Sequence, residues 1–256
     1  MLTGLPRKVK EGYDSYWKDI IDNNDCDLYL HAWETKRDAI TNNEDSDIIK
    51  EVYPNSKYLY IEPPFKFTKY REGIDNPNND KSRPLPEYDV YGNFRSFPMY
   101  YSWESTYKRV LESGVKYDCI IRSRYDMGNG FIKLDLLDLN KIYTCNYHYR
   151  GSGIHDDNIL ITNMDNATKV FSNIFTDIVE YHKGIGYIDS AEDNFTNFLK
   201  RNNLIKICEK TDNIDLQAFF QPYRISEVCT LFQPVYDSIV LSFIPLEGQA
   251  ARDEAD

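Results

Sequence analysis

The chain has no Cys-x-x-Cys pair. Its five cysteines, Cys26, Cys119, Cys145, Cys208 and Cys229, are widely separated, which argues against a zinc site of the usual spacing. Cys26, Cys119, Cys145 and Cys208 each lie in or beside an apolar run, so buried thiols are expected there. An odd cysteine count and an N-terminus without a signal-like apolar region fit a reducing compartment, and the expected location is cytoplasmic. No apolar run is long enough to cross a bilayer, so no membrane span is expected. There is no internal repeat and no low-complexity tract. Basic residues are in deficit, with 30 Lys and Arg against 41 Asp and Glu and a net charge of -11. Broad nucleic-acid binding needs a basic surface and is disfavoured, but a local basic pocket for phosphate is still allowed.

What is present suits a folded domain. The 256 residues are 41% hydrophobic, enough for one large domain or two small ones. The 21 tyrosines, with abundant Asn, Lys, Ile and Asp, fit an AT-rich coding genome and carry no functional reading. The opening Met-Leu-Thr-Gly-Leu-Pro-Arg reads as a strand stub followed by a turn at Gly4 and Pro6. The stub is short, as expected where the first residues of a strand are missing. Gly4 lets the backbone approach a ligand closely, and Arg7 offers a planar cation beside it.

Apolar residues at three- and four-residue spacing predict an amphipathic helix over 8–23. A strand follows over 26–33, with Leu28, Leu30 and Ala32 on one face and Tyr29, His31 and Trp33 on the other. A short helix over 44–52 and a strand over 57–61 complete a strand-helix-strand-helix-strand order, which implies a parallel α/β sheet. Residues 65–93 carry little periodicity and read as a long loop, either a surface excursion or a lid. A helix over 97–113 ends at Gly114 and leads into the segment that organises the chain.

That segment is Tyr-Asp-Cys-Ile-Ile-Arg-Ser-Arg-Tyr-Asp-Met, residues 117–127. A buried strand ends in alternation, which puts Arg122, Arg124 and Asp126 on one face if the chain stays extended. In open α/β sheets ligands bind at such strand ends. An anionic ligand, with or without a metal ion, would account for the charges; a structural salt bridge would too. Further along, a strand over 142–149 precedes Arg-Gly-Ser-Gly-Ile-His-Asp-Asp-Asn, residues 150–158. Helices are predicted over 166–182 and 189–202 and strands over 159–162 and 204–208. The region after 210 reads as an extension with a disordered acidic tail.

These motifs, in this order, resemble a group of microbial and large-DNA-virus glycosyltransferases of the GT-A type. The resemblance rests on the Thr-Gly-Leu-Pro-Arg start, the His-Ala-Trp strand end, the Ile-Arg-Ser-Arg-Tyr-Asp strand and the later His-Asp-Asp-Asn loop, and spans about residues 1 to 210. It implies a GT-A-like, Rossmann-like fold with a mostly parallel central sheet flanked by helices. It also implies a nucleotide-sugar donor, a glycan or other hydroxyl acceptor, and a divalent cation, manganese or magnesium. The family's Asp-x-Asp element is altered here, because Arg124 stands two residues before Asp126. Either Asp126 holds the ion with help from another segment, or Arg122 and Arg124 neutralise the diphosphate themselves.

On that reading Thr3, Gly4 and Arg7 line the nucleotide, and Asp126 and His155 are candidate metal ligands. Asp156, Asp157 and Glu192 are candidate bases or sugar-hydroxyl ligands. The plainer readings are a turn built by Asp-Asp-Asn and, for Glu192 and Asp193, the usual acidic first turn of a helix. Two other classes remain: another phosphate-handling α/β enzyme such as a nucleotidyltransferase, and a non-catalytic nucleotide- or sugar-binding module.

Overall fold

A computed structural model describes residues 1–37, 43–65, 67, 70, 96–128, 134–144, 155, 157–185, 191–210 and 223–224. The first strand, β1 (Leu2–Gly4), pairs in parallel with β2 (Tyr29–Trp33), and β2 pairs in parallel with β3 (Tyr58–Glu62). The helix α1 between β1 and β2 comprises Val9–Gly12, a π-helical stretch Tyr13–Trp17, and Lys18–Asn23. The short helix α2 (Ile48–Val52) joins β2 to β3.

A second, mixed sheet contains β4 (Ile120–Arg122), β7 (Leu160–Thr162), β6 (Ile142–Thr144) and β8 (Cys208–Lys210) in that spatial order. β7 runs antiparallel to β4 and β6, while β8 is parallel to β6. A parallel bridge between Leu2 and Ser123 sets β4 against β1. There the Thr3 amide donates to the Ser123 carbonyl at 3.0 Å, and the Ser123 amide donates to the Met1 carbonyl at 2.9 Å. The strands therefore follow one another as β3, β2, β1, β4, β7, β6, β8, and the direction of winding reverses between β1 and β4. A two-residue strand β5 (Met127–Gly128) pairs with β9 (Tyr223–Arg224) to one side.

Helices cover both faces, because alternate residues of each strand feed two separate cores. Tyr29, Trp33, Ile120 and Leu160 pack with α3 (Ser96–Glu112), α4 (Met164–Phe171), α5 (Ile174–Ile185) and α6 (Ala191–Arg201). Leu30, Ala32, Tyr143 and Ile161 pack on the other side with Val9, Trp17, Ile20 and Ile49 of α1 and α2. The alternation expected in 26–33 is therefore the one that divides the cores. Gly114, at φ +68°, ends α3 with its amide donating to Leu111, as its left-handed conformation requires.

Several sequence expectations change. The helix expected over 166–182 is two, α4 and α5, interrupted after Phe171; Asn163 caps α4 by accepting the Asn166 amide at 2.9 Å. The helix expected over 44–52 begins only at Ile48, because Glu44 bonds the Pro6 carbonyl and Thr35 instead of a helix ladder. Residues 205–207 form a 3-10 turn, and the last strand is displaced to Cys208–Lys210. Cys26 is exposed, not buried, because it precedes the start of β2; Cys119 and Cys208 are half-buried. Asp156, Cys145, Cys229, nearly all of 65–93, the Arg150–Ile154 loop and the region after 210 apart from β9 lie outside the described residues.

Candidate functional site

Strand register gathers the candidate residues at one end of the sheet. Arg122 ends β4 opposite Leu160, and Thr144 ends β6 opposite the same Leu160. Residues 157–159 enter β7 just before Leu160, so they lie toward the carboxyl ends of its antiparallel neighbours β4 and β6. Lys210 ends β8 beside Thr144, and Gly4 ends β1 on the other side of β4. Side-chain contacts agree with the register. Arg122 Nη1 donates to the Asp157 carbonyl, Ser123 Oγ donates to the Asn158 carbonyl at 3.0 Å, and Thr144 Oγ1 meets His155 Nδ1 at 2.9 Å.

The turn after β1 is shaped by glycine. Gly4 sits at φ +118°, and a Cβ placed on it would meet nothing within 4 Å, so open space borders the backbone there. The amino end of α1 follows, the position that phosphate occupies in dinucleotide folds. Here a carboxylate occupies it: the Val9 amide donates to Glu44 Oε2 at 2.7 Å. Arg7 Nε donates to Asn43 Oδ1 at 2.9 Å. The partners are Asn43 and Glu44; the sequence reading places Glu44 at the start of a helix over 44–52 and gives Asn43 no role.

The charged strand end does not keep its three side chains on one face. Arg122 is 1% exposed and sits over the Trp103 ring at 3.6 Å, with its Nε and Nη2 on the Thr3 hydroxyl at 3.4 and 3.2 Å. It joins β1, β4, α3 and the Asp157 carbonyl. The chain turns after Ser123, and Arg124 and Asp126 then form a two-bond fork at 2.8 and 2.9 Å. This is the geometry guanidinium and carboxylate prefer. Asp126 is 1% exposed and Arg124 about one-fifth exposed. The turn is held from beneath by α1, where Trp17 Nε1 donates to the Arg124 carbonyl at 3.2 Å. A Cβ on Gly12 would lie 1.9 Å from the Tyr125 carbonyl oxygen. Tyr125, fully buried, donates to the His31 carbonyl at 3.0 Å.

His155 is buried, and its backbone amide donates to Thr196 Oγ1 of α6 at 2.8 Å. Burial first, then the charges of Lys210 and Lys200, push its pKa down to about 4, so the imidazole is neutral near pH 7. Asp157 is 4% exposed, and its Oδ1 has no hydrogen-bond partner among the described residues. Glu192 precedes Thr196 by four residues on α6, which puts it on the helix face that meets His155, one turn toward the amino end.

His31 and Trp33, read from sequence mainly as packing residues, lie in an aromatic group with Phe65, Phe67 and Tyr101. His31 Nε2 bonds Glu62 Oε2 at 2.9 Å, and Tyr101 donates to Glu62 Oε1 at 3.2 Å.

The expected divalent cation meets a poor fit. Both Asp126 oxygens already receive Arg124, so an ion there would have to displace a guanidinium. Among the described residues no three His, Cys, Asp or Glu side chains form a group able to hold a metal. Sequence reading missed Glu44, Thr144, Thr196 and Lys210. Their roles depend on strand register and cross-chain contact, and only Lys210, a cation after a predicted strand, left any signal. Comparison of the chain with protein-family models, curated proteins and solved structures returns no match.

Proposed function

We propose that the chain is a glycosyltransferase that moves a sugar from a nucleotide-sugar donor to a hydroxyl of a glycan or other acceptor. The observation that carries this reading is the convergence at one sheet end, where winding reverses between β1 and β4. Open backbone at Gly4, the Arg124–Asp126 fork, buried Asp157, neutral His155 and buried Lys210 all lie at that end. Ligands of α/β sheets bind at such a reversal. Glycosyl transfer needs what this set offers: cations for a diphosphate, carboxylates for sugar hydroxyls and for an acceptor proton, and a packed wall that orients the reactants.

In the reaction the bond from the anomeric carbon to the phosphate oxygen of the donor breaks, and its electron pair leaves with the nucleotide. The acceptor oxygen bonds to the anomeric carbon, and its proton passes to a carboxylate in an inverting reaction or to the leaving phosphate in a retaining one. Asp157 and Glu192 are the described candidates for that base; Asp156 is a third. No step here is assigned to a metal, because the described carboxylates do not fit one as arranged. The Glu44 carboxylate at the amino end of α1 weighs against the phosphate-handling alternative that would seat its phosphates there.

The test is a thermal-shift panel of UDP-, GDP-, CMP- and dTDP-sugars, each with manganese and with chelator, followed by product detection with mixed acceptor glycans. A ligand of the native state raises its stability by mass action. One nucleotide class should stabilise the protein and release its nucleotide when an acceptor is supplied. Binding without turnover would move the assignment to a non-catalytic module, and no binding of any sugar nucleotide would end the reading.

A further inference from the structure

The strand β3 forms one edge of the sheet. Its Tyr58 amide donates to the Leu28 carbonyl at 3.2 Å, and its Glu62 carbonyl accepts the Glu34 amide at 2.8 Å. Successive residues of a strand turn their backbone groups to alternate sides. Tyr58, Tyr60 and Glu62 therefore bond β2, while Leu59 and Ile61 turn their amides and carbonyls outward. Those outward groups have no hydrogen-bond partner among the described residues. Every residue of β2 is buried, whereas the residues flanking Tyr60 in β3 are half-buried and Tyr60 itself is 41% exposed. The neighbouring helices stand back from this edge: α3 meets the sheet mainly over β1 and β2, and α2 packs on α1.

An open edge of this kind pairs readily with another strand unless lysine, proline or a bulge blunts it. The sequence of β3, Tyr-Leu-Tyr-Ile-Glu, has neither lysine nor proline, and its register with β2 runs unbroken. Its residues also suit a strand. The edge complements itself. In an antiparallel pairing about a two-fold axis at Tyr60, Leu59 of each copy faces Ile61 of the other. The outward groups of both then exchange hydrogen bonds. The two Tyr60 residues form a non-hydrogen-bonded pair with Cα atoms about 4.5 Å apart, a place that favours aromatic pairs. Each Glu62 comes opposite Tyr58 of the second copy, the ring over which Arg109 sets its guanidinium at 5.6 Å. A carboxylate thus meets the side of a cation at both ends of the pairing, and no like charges are opposed. Hydrogen bonding, aromatic pairing and charge all fit a second copy of the chain.

We propose that β3 is the interface of a two-fold dimer, in which the β3 edges of two chains pair antiparallel around Tyr60 and join both sheets into one. The strands of the two copies then run in opposite directions, so the two candidate sites open at opposite ends of the joined sheet. The dimer stands on the edge geometry alone and does not depend on the glycosyl-transfer reading.

Sedimentation equilibrium of the full chain over a range of concentrations tests it. Wild type should pass from monomer to dimer as concentration rises. Tyr60→Lys and Tyr60→Glu each set like charges across the axis, which destabilises a strand pair, so each variant should stay monomeric where wild type is dimeric. An equimolar mixture of the two should dimerise again, because the charges across the axis are then opposite. Tyr60 is exposed, so both variants should keep the circular dichroism and Tm of the wild-type monomer. Hydrogen exchange on wild type gives an independent measurement even if a variant does not fold: the Leu59 and Ile61 amides should exchange more slowly in concentrated than in dilute protein. A wild type that is monomeric throughout overturns the proposal. So does a dimer that persists in both variants or leaves the β3 amides unprotected, since it would use another surface, and so does a mixture of the variants that stays monomeric.

Discussion

Glu44 caps a helix that begins 35 residues before it. Its Oε2 accepts the amide of the fully buried Val9 at 2.7 Å, while its own amide and carbonyl are fixed by Pro6 and Thr35. A carboxylate there satisfies one of the four orphan amides of the helix start and complements the positive end of the dipole.

Replacing Glu44 by Ala removes this cap without altering the sheet. The expected loss is about 1–2 kcal/mol, the upper part of the range for N-cap removal, because the amide lies in the interior. Urea unfolding measures it. A change within about 0.5 kcal/mol, the range of ordinary surface substitutions, would mean that the contact adds nothing to stability.

Gly12→Ala should destabilise even though it is a helix substitution of the kind that usually helps. Alanine gains up to about 1 kcal/mol over glycine in a helix interior. Here its Cβ would lie 1.9 Å from the Tyr125 carbonyl oxygen and 3.1 Å from that of Met127, and backbone cannot rotate aside. Overpacking of this kind costs about 1–3 kcal/mol, so the net change in a denaturation curve should be negative. A stabilised Gly12→Ala protein would show that α1 does not cross the turn this closely.

The same close crossing explains what could be read in the chain and what could not. The alternation of Tyr29, His31 and Trp33 with Leu30 and Ala32 was legible because each strand residue faces one of two cores and its polarity follows. The strand-helix-strand-helix-strand opening was legible for the same reason. The fork of Arg124 and Asp126 was visible as an i, i+2 charge pair, but the separation of Arg122 from it was not. The turn after Ser123 is imposed by Trp17, Gly12 and the β1 bridge, all distant in sequence. The burial of Lys210, and of an Asp157 oxygen without a hydrogen-bond partner among the described residues, arise from register between strands, and no local pattern encodes register across a mixed sheet.

Removing one member of the Arg124–Asp126 fork should cost more than removing both. Arg124→Ala leaves a carboxylate that is 1% exposed without its main counter-charge, and breaking a buried pair from one side costs about 3–5 kcal/mol. Arg124→Ala combined with Asp126→Asn should recover part of that loss, a coupling measured by a double-mutant cycle in urea. The single variant also separates two accounts of the strand end. If Asp126 is a latent metal ligand, Arg124→Ala should gain a manganese-dependent rise in Tm that wild type lacks. If the fork is structural, manganese should leave both proteins unchanged.

His155 should make the protein sensitive to mild acid. Its native pKa is depressed to about 4 by burial and by Lys210 and Lys200, whereas the unfolded value is about 6.5. Between those values the unfolded chain binds more protons than the native one, so stability rises with pH from about 4 to 6.5 and is level above. From this group alone the protein should be about 2 kcal/mol less stable at pH 5 than at pH 7.5. Carboxylates add their own pH dependence, so the comparison is between wild type and His155→Gln, unfolded in urea at both pH values. Glutamine cannot take up the proton, and its loss of stability between pH 7.5 and 5 should be smaller than that of wild type by about this amount. Equal pH dependence in the two proteins would mean that His155 is hydrated and charges freely in the native state, against the burial that chiefly depresses its pKa.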